Sequence, residues 1–469
     1  MQRISDARRN MENIDKFIEE HINDDVTKLI LNREKWAGID MDLAVNTIES
    51  RRKLRGKVQP WAETPGLRFP FKLSAEQCSS SFTAQYKADL AAKIIASPGS
   101  TTCGTGSQDK CVCDEEQGNC KSEKPYGIAD LTGGLGVDSW YFSKVARVLY
   151  NEMKPQLAEA SKHNFSVLGA ENITVANHRI TAVCSEAAAQ KDARQISDTA
   201  SIEDSGTDIS IAGLLQDFQA GLIFLDPARR GEGGRKVFRL EDCSPDVLSL
   251  RDELLKASRH ILMKLSPMAD ISMVCEKLGG HCREVHVVAT GGECKELLVW
   301  LDREWSDDYS ICVCEDGACF RFGPADEKSA KARYAAELPS AGTFLFEPGK
   351  ALMKAGAFNL ISEKFGMAKI GKSTHYYFVE SVSTAHELTA FGKMYKITEA
   401  AQLNNKSIRD FAVRYPAADL TARNLPFDTD TLRAKMYGNK KSAAPQDGTH
   451  IFALKSDSSG NLLIATLPL

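Results

Sequence analysis

The chain has 469 residues, 43% hydrophobic and 26% charged, with 59 Lys and Arg against 63 Asp and Glu for a formal net charge of −4. That length exceeds one ordinary compact domain and predicts two to four units, each burying its own core. The slight negative charge excludes bulk basicity as a basis for nucleic-acid binding, so any such contact must come from a local patch.

No stretch approaches the roughly 18 to 20 apolar residues that span a bilayer, so no membrane partner is expected. The opening MQRISDARRNMENIDKF mixes charges of both signs and lacks an apolar core, unlike a secretory signal, which predicts a cytoplasmic protein.

From Asn13 to about Ile95, apolar residues such as Phe17, Ile22, Val26, Leu29, Ile30 and Leu31 recur at helical spacing. Residues 1–96 are therefore expected to form a helical N-terminal domain. Pro60, Pro65 and Pro70 break it within WAETPGLRFPFKL, and Ser74 with Glu76 and Gln77 reads as a cap before a further helix.

Residues 97–125 are rich in Gly, Ser and Cys and read as a loop insertion. The chain holds 13 cysteines. Neither Cys103, Cys111, Cys113 and Cys120 nor Cys312, Cys314 and Cys319 offers the two close pairs of a zinc knuckle, so no metal is required. Cys184, Cys275 and Cys294 stand singly and read as buried reduced thiols.

Residues 126–305 change texture, with short apolar strands alternating with helices, the pattern of a parallel sheet with crossover helices. Strands are expected at Tyr126 to Asp130, Arg147 to Tyr150, within Ile173 to Cys184, and at Gly221 to Leu225, Arg259 to Lys264, Glu284 to Ala289 and Leu297 to Leu301. The polar stretch Gln190 to Asp208 reads as an insertion. A second α+β unit is expected over 306–390 and a third over 391–469, closing with strands at Ile451 to Lys455 and Leu462 to Thr466.

Chemistry concentrates in YGIADLTGGLGVDSWYF. An apolar strand ends at Asp130, and Gly133, Gly134 and Gly136 precede a helical run from about Val137. Such glycines let the backbone turn tightly against a ligand, and the following helix offers unpaired N–H groups. Glu152 follows the next strand about twenty residues on, the usual place for an acid that accepts ribose hydroxyls. A dinucleotide fingerprint starting from Gly134 would need a third glycine where Ser139 stands. Asp130 instead suits a ligand with a positively charged amino group, such as the methionine end of S-adenosylmethionine.

The third feature is GLIFLDPARRGEGGRKVF, an apolar strand ending in Asp226 and Pro227 at the edge where open α/β sheets bind ligands. It resembles the class I methyltransferases acting on nucleobase amino groups, whose fourth strand ends in Asp or Asn, Pro, Pro and an aromatic. Asp226 and Pro227 match; Ala228 and Arg229 replace the second proline and the aromatic.

DLTGGLGVD, FLDPARRGEGGRKVF, MKLSPMADI, EPGKALMKAGAF and ARNLP also fall in an order resembling bacterial proteins with a helical N-terminal region, a methyltransferase core and a C-terminal THUMP-like domain. That resemblance covers nearly the whole chain and extends to the RNA cap guanine-N2 methyltransferase (trimethylguanosine synthase) group. It implies an α/β fold: a Rossmann-like class I methyltransferase core over 126–305, a ferredoxin-like α+β domain over 306–390 and a THUMP-like domain over 391–469. S-adenosyl-L-methionine is the implied cofactor and a base nitrogen of RNA, transfer or ribosomal, the implied acceptor.

Carried onto this sequence, the resemblance implies that Asp130, Thr132, Gly133, Gly134, Gly136 and Asp138 line the methionine and ribose side of the cofactor. Glu152 would hold the ribose, and Asp226 with Pro227 would be catalytic, holding the methyl acceptor. Arg229, Arg230 and Lys264 are the expected substrate contacts; the arginines could pair with phosphate or stack on a base. Lys264 to Pro267 matches the family's KLSP segment, and a plain strand end with a turn is an equal reading. The adenine contact has two competing frames, one ending near Asn177 and the other near Ser185 and Glu186.

Between Lys393 and Lys441, basic residues including Lys406, Arg409, Arg414, Arg423, Arg433, Lys435 and Lys440 outnumber acids. Tyr395, Phe411, Tyr415 and Tyr437 are candidate stacking faces for RNA, and a solvated helix face is an equal alternative. A protein or small-molecule methyltransferase, or a non-catalytic RNA-binding protein on the same scaffold, are the competing functions.

Overall fold

The computed structural model describes residues 13–97, 126–181, 206–229, 240–438 and 448–469. The chain divides into two units, Met1–Arg283 with Val299–Asp307, and Glu284–Leu298 with Asp308–Leu469. Arg230 and the cysteines at 103, 111, 113 and 120 lie outside the described residues, as do Ser185 and Glu186.

The first unit opens with helices, as the apolar spacing predicts. Met41–Leu54 starts on Asp40, whose carboxylate accepts the Leu43 N–H at 3.1 Å. Its buried Ala44 and Ile48 pack with Ile14, Phe17, Ile18 and Leu29. Ser74 is not the cap: it lies inside the helix Lys72–Gln77, which starts after Phe71. Pro70 sets the chain break, so that helix begins just beyond it. The hydroxyl cap falls at the next boundary, where Ser80 accepts the Thr83 N–H at the start of Ser81–Ile95.

Five parallel strands follow: β1 (Gly127–Asp130), β2 (Val148–Asn151), β3 (Ile173–Ala176), β4 (Ala220–Leu225) and β5 (His260–Leu265). Each lies within one or two residues of its expected place. Their order is β3-β2-β1-β4-β5, with Ile128 beside Val148 on one side and Leu222 on the other. β1, β2 and β4 are almost wholly buried, which is why their sequences are continuous apolar runs. The order reverses between β1 and β4, and a ligand crevice opens at the carboxyl ends of strands at such a point.

In the second unit, Glu284 to Ala289 of β6 (Cys282–Thr290) run parallel to β8 (Ser310–Glu315), and β9 (Ala318–Phe322) is antiparallel to β8. The chain reaches β8 through β7 (Glu293–Asp302). Cys312 and Cys314 are buried in β8, and exposed Cys319 is the cross-strand partner of Cys314.

An eight-stranded sheet completes the unit. Its strands are β10 (Arg333–Tyr334), β11 (Phe344–Pro348), β12 (Ala368–Lys369), β13 (Tyr377–Val379), β14 (Gly392–Gln402), β15 (Asp419–Arg423), β16 (His450–Leu454) and β17 (Leu462–Pro468). They lie in the order β10-β12-β13-β11-β14-β17-β16-β15. The long strand β14 pairs through Gly392 to Lys396 with β11 and through Tyr395 to Gln402 with β17, so residues on both sides of position 390 share one sheet.

Leu345, Phe378, Tyr395, Phe452 and Ile464 form a core cluster in this unit. A second cluster joins Ile408 and Phe411 of helix Asn405–Arg414 and Leu432 of helix Thr429–Tyr437 to Ile451 and Leu463. Among the described residues no helix is long and apolar enough to cross a membrane.

Candidate active site

The carboxyl end of β1 carries Asp130, 1% exposed. One carboxylate oxygen accepts the Thr132 N–H at 3.2 Å and the other the Ser139 hydroxyl at 2.6 Å. Burial drives its carboxyl up to about 7 against the Ser139 hydrogen bond, with Asp138 adding to the rise. Among the described residues its carboxylate is held by a backbone N–H and a hydroxyl rather than by an ion pair, so Asp130 is a buried acid without a directly bound cation.

The glycine turn is built against β2. Gly133 donates to the Asn151 carbonyl at 2.8 Å and accepts the Gly136 N–H at 2.9 Å. A β-carbon on Gly133 would lie 2.1 Å from the Tyr150 ring. That ring is fixed because its hydroxyl donates to the Gly134 carbonyl at 2.5 Å and reaches Ser161 at 3.0 Å. Gly136 holds φ of 90° as the N-cap of helix Val137–Phe142, a conformation that L side chains resist.

Glu152 follows β2 and is 9% exposed. Its carboxylate accepts the N–H of Gly134 at 3.0 Å and of Lys154 at 2.9 Å. Burial raises its carboxyl pKa against those two bonds. Two donors leave further lone pairs available for ligand hydroxyls. β3 ends at Ala176 and Asn177 follows it, with the Asn177 amide donating to the Glu152 carbonyl at 2.6 Å. The strand thus follows the earlier of the two frames considered for the adenine side.

β4 delivers Asp226 and buried Pro227 to the same edge. The Asp226 N–H donates to the Thr132 hydroxyl at 2.6 Å, and Lys264 at the end of β5 makes a hydrogen-bonded ion pair with one carboxylate oxygen. Asp226 keeps 37% side-chain exposure, so the carboxylate is open to an incoming group. Ala228 and Arg229 form a short ladder with Cys243 and Ser244.

Asp138 is engaged elsewhere than the glycine turn. The Ser79 hydroxyl donates to one oxygen at 2.8 Å, and Lys87, wholly buried, stands 3.3 Å from the other. Ser79 and Lys87 belong to the N-terminal helical segment. Phe71 of the same segment meets the Lys154 ammonium 5.4 Å from its ring centre. Burial lifts the neighbouring Cys78 thiol to about 11, and Lys57, Asp138 and Lys264 all act on it.

The structure therefore brings together Asp130, Thr132, Gly133, Gly134, Gly136, Glu152, Asp226, Pro227 and Lys264. Sequence reading missed Ser139, Tyr150, Ser79 and Lys87. Ser139 could have been found, since it is the residue that breaks the dinucleotide pattern. Lys87 carries a signal too: a lysine within the buried stripe Ala84, Ala88 and Ala91.

The expected stacking rings of the C-terminal region pack inward. Phe411 is fully buried, Tyr395 is 7% exposed with its hydroxyl on Glu347, and Tyr415 and Tyr437 pack against the second core cluster. Lys406, Arg409, Arg414, Arg423 and Lys435 are exposed. Arg414 is paired with Glu399 at 2.7 Å.

A family model for a ferredoxin-like domain matches residues 344–384. No curated protein matches the sequence. A candidate methyltransferase from Porphyromonas gingivalis W83 superposes with a TM-score of 0.71 at 24% identity, covering 98% of each chain. An rRNA methylase from Streptococcus thermophilus aligns at 11% identity over 38% of this chain and 88% of its own, with a TM-score of 0.24. An O-methyltransferase from Bacillus cereus in complex with SAH aligns at 8% identity over 54% and 90%, with a TM-score of 0.26. At its level of identity the first likeness gives the fold: the described residues share the fold of that candidate methyltransferase, and a ferredoxin-like domain lies in the second unit.

Proposed function

We propose that this protein is an S-adenosylmethionine-dependent methyltransferase that modifies a base nitrogen of RNA, transfer or ribosomal. The observation that carries the reading is Asp130, a buried carboxylate with no ion-pair partner among the described residues, set beside a glycine turn at the crevice of a methyltransferase fold. The residues present fit the cofactor: Asp130 suits its ammonium, Glu152 its ribose hydroxyls, and the close packing at Gly133 leaves backbone where a side chain would intrude. When bound, S-adenosylmethionine supplies an electrophilic methyl group.

The chain's own residues hold the acceptor. Asp226 keeps one carboxylate oxygen beyond the one that Lys264 holds, and the Pro227 carbonyl stands beside it. Together they accept the hydrogens of an exocyclic amine and turn its lone pair toward the methyl group. Positioning of this kind supplies most of the rate. A base must be unpaired or flipped out to enter such a crevice.

RNA as acceptor rests on the resemblance to THUMP-like and cap guanine-N2 methyltransferase proteins and on the exposed Lys406, Arg409, Arg423 and Lys435. With Tyr395 and Phe411 buried, those residues would engage phosphates by charge, giving salt-sensitive binding.

The test is transfer of a radioactive methyl group from S-adenosylmethionine to total RNA, followed by mass spectrometry of nucleosides from cells with and without the gene. One methylated nucleoside lost with the gene is expected. Label in protein or small-molecule fractions alone would assign a different acceptor. Absence of both cofactor binding and turnover would refute the reading.

A further inference from the structure

Two carboxylates, Asp138 and Asp226, act on a third, Asp130, at the end of β1. Two of them carry a lysine from the chain: Lys264 on Asp226, and Lys87 on Asp138 at 3.3 Å. The third, Asp130, holds a backbone N–H and the Ser139 hydroxyl.

We propose that Lys87 is a positioning residue of the cofactor site: by pairing with Asp138 it leaves Asp130 as the one uncompensated carboxylate of the three, reserved for the ligand's ammonium. It also pins the first turn of helix Val137–Phe142, which follows the glycine loop. The inference rests on the reading that Asp130 receives the cofactor's amino group.

Lys87 has no exposed surface and lies on the buried face of its helix with Thr83, Ala84, Leu90, Ala91 and Ile94. A lysine is costly there unless its charge is needed, because an apolar residue would pack without desolvating an ion. Its ammonium also donates to Ser79 at 3.0 Å, and Ser79 in turn donates to Asp138, closing a three-membered network. The N-terminal helical segment thereby reaches the cofactor loop through charge as well as packing.

Removing the lysine charge exposes Asp130 to the full field of Asp138. Asp138 and Ser139 face Asp130 from the helix and Thr132 from the turn. Tyr150 faces it from β2, and Asp226 from β4, with Lys264 behind. Asp138 already helps raise the Asp130 carboxyl to about 7; an unscreened Asp138 raises it further. An ammonium binds the ionised form, so affinity is complete above the Asp130 titration and falls about tenfold per pH unit below it.

Calorimetric titration of the full chain with S-adenosylhomocysteine, from about pH 5.5 to 8.5, reads this directly. Lys87→Met and Lys87→Gln are expected to weaken binding about tenfold at neutral pH and move the inflection up by about one pH unit. The Gln variant keeps hydrogen-bonding capacity toward Ser79 and Asp138, so it separates charge from packing. Asp138→Asn should move the inflection down. Folded Lys87 variants whose curves superimpose on the wild type would overturn the proposal. If neither Lys87 variant folds, an unshifted inflection in Asp138→Asn overturns it. Wild-type protein that binds no S-adenosylhomocysteine at any pH would overturn the cofactor reading itself, a distinguishable failure.

Discussion

The hydroxyl of Thr132 accepts the backbone N–H of Asp226 at 2.6 Å, so the turn after β1 and the end of β4 are joined by one hydrogen bond. The residue bridging them sits in the cofactor turn and its partner in the acceptor segment. Thr132→Val keeps the shape and leaves a part-buried N–H unpaired. It should destabilise the protein by about 1 to 3 kcal/mol in urea unfolding. Turnover should fall while affinity for S-adenosylhomocysteine holds; a variant with full turnover would show the link to be incidental.

Asp130→Asn retains a hydrogen-bond acceptor and loses the charge. Affinity for S-adenosylhomocysteine should drop by about 10- to 100-fold, the value of a hydrogen bond to a charged group. Its pH dependence near neutrality should flatten, because the group that titrates at about 7 is gone. Calorimetry at several pH values checks both effects.

Gly133→Ala places a methyl group 2.1 Å from a ring atom of Tyr150. That ring is tethered at its hydroxyl and buried, so it has little room to yield. A loss of about 1 to 3 kcal/mol or more is expected in thermal or urea unfolding, together with lost cofactor binding. Gly169→Ala meets no neighbouring atom within 4 Å and serves as a control, its strain confined to its own φ of 68°.

Asp226→Asn and Lys264→Met act on the acceptor side. Methyl transfer should fall by about 100-fold or more, the scale for a polar group aimed at the reacting centre. In Asp226→Asn, affinity for S-adenosylhomocysteine should stay within about threefold, since that ligand is held by the other half of the crevice. Equal losses in both measurements would place Asp226 in the cofactor site instead.

Asp302 tests the scaffold. It is 1% exposed and accepts Arg259 at 2.9 and 3.2 Å and Arg283 at 2.7 Å. Burial opposes its charge, but the hydrogen bonds from Arg259, the Glu304 N–H and Arg283 outweigh it and lower the carboxyl to about 2. A depressed carboxyl contributes stability above its unfolded value near 3.8 and loses it as pH falls toward 2. Asp302→Asn should cost roughly 3 to 5 kcal/mol at neutral pH by removing the buried charge that faces Arg259 and Arg283, although Arg259 keeps its pair with Glu304. The gap between variant and wild type should narrow in urea titrations below about pH 4.

The strands and the chemistry of their ends were legible in the sequence because each depends on local facts. An apolar run marks a strand buried on both faces, a glycine cluster marks a tight turn, and an acid at a strand end marks the ligand edge. β1 to β5 and the residues Asp130, Glu152 and Asp226 could all be named that way. The sequence alone also determined that Ser139 breaks the dinucleotide pattern.

Only the tertiary structure decided which partners those residues take. Thr132 meets Asp226 across 94 positions of sequence, and Lys264 meets Asp226 across 38. Asp138, expected at the cofactor, is met by Ser79 from a loop and Lys87 from a helix that precede it. Tyr395 and Phe411, aromatic among basic residues and therefore candidate stacking faces, are buried in the clusters of the eight-stranded sheet. Periodicity and spacing report what a segment offers to its surroundings. Whether an acid faces a ligand or a buried lysine is set by packing between distant segments, where burial and charge pairing are settled together.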